Sequence, residues 1–240
     1  MHIFWGELLG TMLLIVLGNG AVANVLLKQS KGYASGWIVI TAGWGFAVVA
    51  AAYVAGWISG AHINPAITLA FALIGKSSWS VVPLYIFAQI IGAMLGAILV
   101  WLAYFPHWQR TENDEIKFAC FATSPAIRNV FWNCVTETIA TFVLVLGVLA
   151  ITDPHNQVSN GFVPYLVGIL VFGIGLSLGG PTGYAINPAR DLGPRIIFYL
   201  LPIAQKRNFD WGYAWVPIVG PLLGATVAAV VYPLFFNLIG

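Results

Sequence analysis

Six long apolar runs alternate with short polar segments, at positions 4–27, 37–57, 81–104, 130–151, 162–178 and 215–238. Each is long enough to read as a helix crossing a hydrocarbon core ~30 Å thick at a rise of ~1.5 Å per residue. Two shorter apolar segments lie between the second and third runs and between the fifth and sixth. Both open on the same triplet, Asn64-Pro65-Ala66 and Asn187-Pro188-Ala189. Asparagine is preferred just before a helix and proline within its first turn, so each triplet predicts a helix start. The segments, 65–74 and 188–198, hold roughly ten residues or ~15 Å of helix, half the depth of a bilayer core. Irregular backbone at that depth is tolerated only where protein buries it or a watery cavity is lined by it. The pattern therefore predicts two half-helices whose N-termini and asparagines meet near the midplane.

The halves of the chain resemble each other. Glu7-x-x-x-Thr11-x-x-Leu14 in the first run is matched by Glu137-x-x-x-Thr141-x-x-Leu144 in the fourth, 130 positions on. Asn64 and Asn187 stand 123 apart, and Gly92 and Gly220, in the third and sixth runs, 128 apart. With three full spans per copy, the second copy enters the membrane from the opposite side, an inverted repeat with halves near 1–115 and 116–240. Such repeats place their site at the midplane, facing the ends of broken helices. Glycines four apart, Gly6 and Gly10, Gly92 and Gly96, Gly220 and Gly224, read as close helix packing.

Composition sharpens the class. Apolar residues make up 60% of the chain and charged residues 8%, against about a quarter charged in soluble domains. The expectation is an all-α membrane protein forming one integral domain over residues 1–240. A net charge of +2, dispersed among loops, excludes nucleic acid as a partner. The first run has no basic residues before it and no small-residue cleavage site, so it reads as a span. Cys120, in a polar loop, and Cys134, near a helix start, imply neither a disulfide framework nor a metal site. No cofactor is expected.

The stretches Ser59-Gly60-Ala61-His62-Ile63-Asn64-Pro65-Ala66-Ile67-Thr68 and Gly183-Tyr184-Ala185-Ile186-Asn187-Pro188-Ala189-Arg190-Asp191-Leu192-Gly193-Pro194-Arg195 resemble the two pore signatures of the aquaporin and glycerol-facilitator family. The resemblance spans essentially the whole chain. It implies six transmembrane helices plus two re-entrant half-helices in a right-handed aquaporin-type bundle, and a homotetramer with one pore per protomer. It also implies a selectivity filter of Trp44, Gly175, Tyr184 and Arg190, similar to that of the glycerol-conducting branch, and Asp191, Arg195 and Pro217-Ile218 match that branch. Two positions depart from its bacterial pattern: Tyr184 stands where phenylalanine is usual, and Ser124 where an aromatic is usual.

Glycerol has a carbon edge and a hydroxyl edge. Trp44 and Tyr184 offer an apolar wall, Arg190 a fork of five donors, and Gly175 leaves space for the carbons. Deeper in, the carbonyls of Gly60, Ala61, His62, Gly183, Tyr184 and Ala185, with the amides of Asn64 and Asn187, are expected to replace the solute's water bonds. The half-helix N-termini, each worth about half a positive charge, and Arg190 would repel cations and hydronium. The expected substrates are small and uncharged: glycerol and water, with dihydroxyacetone, urea, lactic acid and hydrogen peroxide of comparable width. The lipid bilayer is the other partner.

Glu7 and Glu137 are ionisable groups within spans and hence functional candidates. Their symmetric placement favours bracing the re-entrant loops, with Gln89 and the ring of His62 in the same role. A proton-coupled transporter would use the carboxylates as a relay; a water-selective pore is the other alternative. An enzyme lacks its nucleophile, base and oxyanion donors. Trp37, Trp57, Trp101 and Trp215 read as interfacial anchors. The resemblance places both termini in the cytoplasm of a plasma-membrane protein. Charge counting opposes this: Lys28, Lys31, Arg110, Lys117, Arg128, Lys206 and Arg207 then lie outside and only Lys76 inside.

Overall fold

The computed structural model describes residues 1–203 and 209–236. It places helices at α1 (His2–Leu26), α2 (Trp37–Ser59), α3 (Pro65–Leu73), α4 (Val82–Ala103), α5 (Phe105–Arg110), α6 (Asp114–Ala119), α7 (Val130–Ile151), α8 (Val163–Leu178), α9 (Pro188–Leu200) and α10 (Val216–Phe236). The described residues contain no strand. Lys206, Arg207 and the expected end of the last span at Leu238 lie outside the described residues.

Five helices, α1, α2, α4 with the turn before it, α7 and α10, are long and apolar enough to cross a membrane. The sixth expected span is shorter. α8 has 16 residues, ~24 Å at the standard rise, because Pro164 sits in its first turn and Gly179-Gly180-Pro181 does not continue it. The sequence pattern also missed α5 and α6, two turns too short and too polar to show a periodicity. α6 buries the side chain of Cys120 at its end, so this cysteine sits in packed protein and not in a polar loop.

Both half-helices start where the triplets predict. Asn64 accepts from Ala66 N–H at 2.8 Å, and Asn187 from Ala189 and Arg190 N–H at 3.0 and 3.2 Å. α3 has 9 residues and α9 has 13.

Packing repeats between the halves. α1 packs on α2 and α4 as α7 packs on α8 and α10. Gly92 and Gly96 of α4 let the helix approach the backbone of Leu8 and Met12, where a Cβ would come within 2.4 and 2.6 Å of their carbonyl oxygens. Gly220 and Gly224 do the same against Cys134 and Thr138 of α7. The halves then exchange elements: α3 packs on α10, α9 on α4, and α2 on α8. Each half-helix is thus held by the last span of the other repeat, which fixes where the two N-termini meet.

Candidate functional site

The chain before each half-helix carries the same sequence of unusual dihedrals. Gly60, Ala61 and Ile63 have φ of 87°, 51° and 45°; Gly183, Tyr184 and Ile186, each 123 positions on, have 78°, 38° and 43°. Left-handed backbone at a branched isoleucine is strained, so something must hold it. In the first half that is Glu7. Its Oε1 accepts from Ser59 Oγ at 2.6 Å and His62 N–H at 3.0 Å; its Oε2 accepts from Ile63 N–H at 2.6 Å and Gln89 Nε2 at 2.7 Å. In the second half Glu137 Oε1 accepts from Thr182 Oγ1 at 2.7 Å and Ala185 N–H at 2.9 Å, and Oε2 from Ile186 N–H at 2.9 Å. Both carboxylates are buried and spend their acceptors on protein. Pro217 stands at the position matching Gln89, so the second hub lacks that donor.

The remaining expected bracing residue, His62, lies with Nδ1 3.1 Å from Thr68 Oγ1, stacked on Tyr85 at 4.1 Å and edge-on to Phe71 at 4.9 Å. Tyr85 donates to the carbonyl of Ser59 at 2.6 Å. Thr68 corresponds to Asp191 in the second half, which accepts from the backbone and hydroxyl of Thr123 at 2.7 and 2.6 Å and pairs with Arg195 Nε at 2.8 Å. Arg195 is fully buried and also donates to the carbonyls of Thr123, Phe209 and Asp210. Ser59, Thr182 and Thr123 were not singled out from sequence. Ser59 and Thr182 lie 123 apart, and the repeat offset alone would have paired them.

A cavity of about 590 Å³ passes between the halves. Trp44, Tyr184 and Arg190 line one end, Asn64 and Asn187 its middle, and Tyr53, Thr152 and Gly161 the other end. The two asparagines do not offer both amide hydrogens to it. Asn64 Nδ2 donates to the carbonyl of Ile186, and Asn187 Nδ2 to that of Ile63, each at 2.8 Å. The triplets are therefore stitched to each other across the repeat, and each NH₂ retains one hydrogen. Gly60, Ala61, His62, Tyr184 and Ala185 line the cavity. Gly183 does not; it faces Thr123, whose Cγ2 would lie 3.5 Å from a Cβ placed there.

At that end the Arg190 guanidinium lies 4.2 Å over the Trp44 ring, and its Nη1 donates to the carbonyl of Phe121 at 3.4 Å. The expected empty space beside Gly175 is filled. A Cβ there would come within 2.8 Å of Tyr184 Cζ, 2.9 Å of its hydroxyl and 2.8 Å of Thr41 Cγ2. Gly175 accordingly does not line the cavity: it houses the tip of Tyr184, whose hydroxyl has no hydrogen-bond partner among the described residues. Trp37 is anchored at the same place, donating Nε1–H to the carbonyl of Gly175 at 3.0 Å.

The major intrinsic protein family model matches residues 1–232. The chain belongs to the major intrinsic protein family. A Thermotoga maritima protein named "Probable glycerol uptake facilitator protein" is 57% identical over 236 residues, 98% of this chain and 100% of that protein. The "Glycerol uptake facilitator protein" of Bacillus subtilis is 53% identical over 237 residues, 99% of this chain and 86% of that protein. Among solved structures, the aquaglyceroporin from Plasmodium falciparum superposes with a TM-score of 0.87 at 32% identity, covering 96% of this chain and 94% of that one. Membership fits an aquaporin-type helical bundle, a multi-pass membrane protein that passes small neutral solutes and is not an enzyme.

Proposed function

We propose that the protein is a passive channel for glycerol and other small uncharged solutes, with water, which holds back ions and protons. The observation that carries this is the cavity ending at Trp44, Tyr184 and Arg190, with the two cross-linked half-helix N-termini midway along it. Trp44 and Tyr184 give the carbon edge of a polyol an apolar wall. Arg190 gives its hydroxyls a charged donor that is turned over the Trp44 face and bonded to protein only through Phe121 among the described residues. The carbonyls before each half-helix and the free hydrogen of each asparagine amide continue the polar edge inward. Desolvation of a solute hydroxyl is thus compensated at each step. The two N-termini, each carrying about half a positive charge, and the Arg190 cation oppose cations at the midplane and the filter.

We extend the reading to solutes of similar width, dihydroxyacetone, urea, lactic acid and hydrogen peroxide. We also propose a homotetramer in the plasma membrane with both termini cytoplasmic. The chain's relatives above, with names that specify glycerol uptake, support the solute class.

A water-selective pore is the second reading, favoured by the Tyr184 tip occupying the space beside Gly175. Stopped-flow light scattering on proteoliposomes separates the two. Fast reswelling under a glycerol gradient is expected. Rapid shrinkage under sucrose without glycerol entry would replace this reading by the second.

A further inference from the structure

We propose that Asn19 is a positioning residue for Arg190, acting through the carbonyl of Phe121. Asn19 lies on α1, fully buried, among residues that are otherwise apolar or small, and the function as described so far gives it no task. Its Nδ2 donates to the Phe121 carbonyl at 3.2 Å, and Arg190 Nη1 donates to the same oxygen at 3.4 Å. A carbonyl oxygen has two lone pairs and accommodates both. The loop carrying it is fixed two residues on, where Asp191 and Arg195 hold Thr123. The Phe121–Ala122 peptide is held from its other side by Ala122 N–H donating to the Phe118 carbonyl at 3.0 Å, and without Asn19 its carbonyl would lose the bond that fixes its tilt toward the guanidinium. The repeat isolates the role. Asn19 corresponds, 130 positions on, to Leu149, which is also fully buried. An apolar side chain thus satisfies the same helix position where the repeat counterpart of Arg190 is Ile67 of α3, 123 positions before it, and packing alone does not require the amide.

The inference rests on Arg190 being the filter cation. The test measures the glycerol-to-water permeability ratio of proteoliposomes, normalised to reconstituted protein, for Asn19→Leu, Arg190→Ala and the double variant. Arg190→Ala is expected to change the ratio. Asn19→Leu is expected to lower it about twofold to tenfold, the range of one net hydrogen bond, and to have no further effect once Arg190 is alanine. A merely structural defect would lower both permeabilities together and leave the ratio intact. An unchanged ratio in Asn19→Leu, or the same fold-change in both backgrounds, overturns the inference. An unchanged ratio in Arg190→Ala instead overturns the filter reading. Should Asn19→Leu fail to reconstitute, Asn19→Ser, a smaller residue too short to reach Phe121, is held to the same outcomes.

Discussion

At Gly175 one missing carbon decides where the Tyr184 ring sits beside the cavity. The sequence suggests that this glycine leaves room for solute, whereas the structure gives the room to Tyr184, since a Cβ would meet its ring and hydroxyl within 3 Å. Trp44, Tyr184 and Arg190, named from the family resemblance, line one cavity. Which side chain fills the gap was not legible, because that depends on how α8 and the loop before α9 pack. The physical consequence is that even Gly175→Ala must push the phenol into the lumen or strain α2, at a cost of about 1–3 kcal/mol for overpacking. Gly175→Ala is expected to lower glycerol permeability more than water permeability, and Gly175→His to do so more strongly. Adding Tyr184→Phe to Gly175→Ala removes the hydroxyl that collides and is expected to restore part of the glycerol flux. Stopped-flow measurement of the three variants checks this; no recovery in the double variant would show that the collision with the Tyr184 hydroxyl is not the cause.

At the scale of elements, the strained segments before α3 and α9 are held by one carboxylate each, and the paired Glu7 and Glu137 were visible in the sequence as a 130-residue echo. Of their seven donors Gln89 was expected, whereas the other two side chains, Ser59 and Thr182, carry no motif of their own and the remaining four are backbone N–H groups. Glu137→Gln would aim an amide N–H at backbone donors and leave them unpaired, each worth about 1–3 kcal/mol. Its expected effect is a lower melting temperature and a loss of folded protein, with Glu7→Gln partly rescued by its extra neighbour Gln89. Fluorescence-monitored unfolding in detergent measures both. A second element-level contact lies between the turn after α7 and α10. Asp153 accepts from the Tyr232 hydroxyl and from the backbone and ring of His155, and these bonds hold its carboxyl at about 2, below the usual 3.8. The folded value lies below the unfolded one, so the stabilisation is complete above about pH 4 and is lost as pH falls toward 2. Asp153→Asn should therefore melt below the parent at pH 6, with the difference shrinking as pH falls through about 2; a difference as large at pH 2 as at pH 6 would exclude the linkage.

For the whole molecule, the inverted repeat, six spans and two half-helices follow from hydropathy and the doubled triplet, while the exchange that seats α3 on α10 and α9 on α4 is a three-dimensional fact that no local pattern carries. Orientation is where two sequence signals collide. Counting basic loop residues points the wrong way for termini in the cytoplasm, and neither the burial of Lys117 nor the pairing of Arg128 with Asp210 removes these charges from the count, because the rule acts on loops as they are inserted. Ser35, in the turn between α1 and α2, and Ser159, between α7 and α8, are both exposed and lie on opposite sides. In a background with Cys134 replaced by serine and Cys120 left buried, Ser35→Cys is expected to react with an impermeant maleimide on intact cells and Ser159→Cys only after lysis. The reverse pattern would turn the molecule over, placing the Arg190 filter at the cytoplasmic mouth while leaving the pore and its solutes as described.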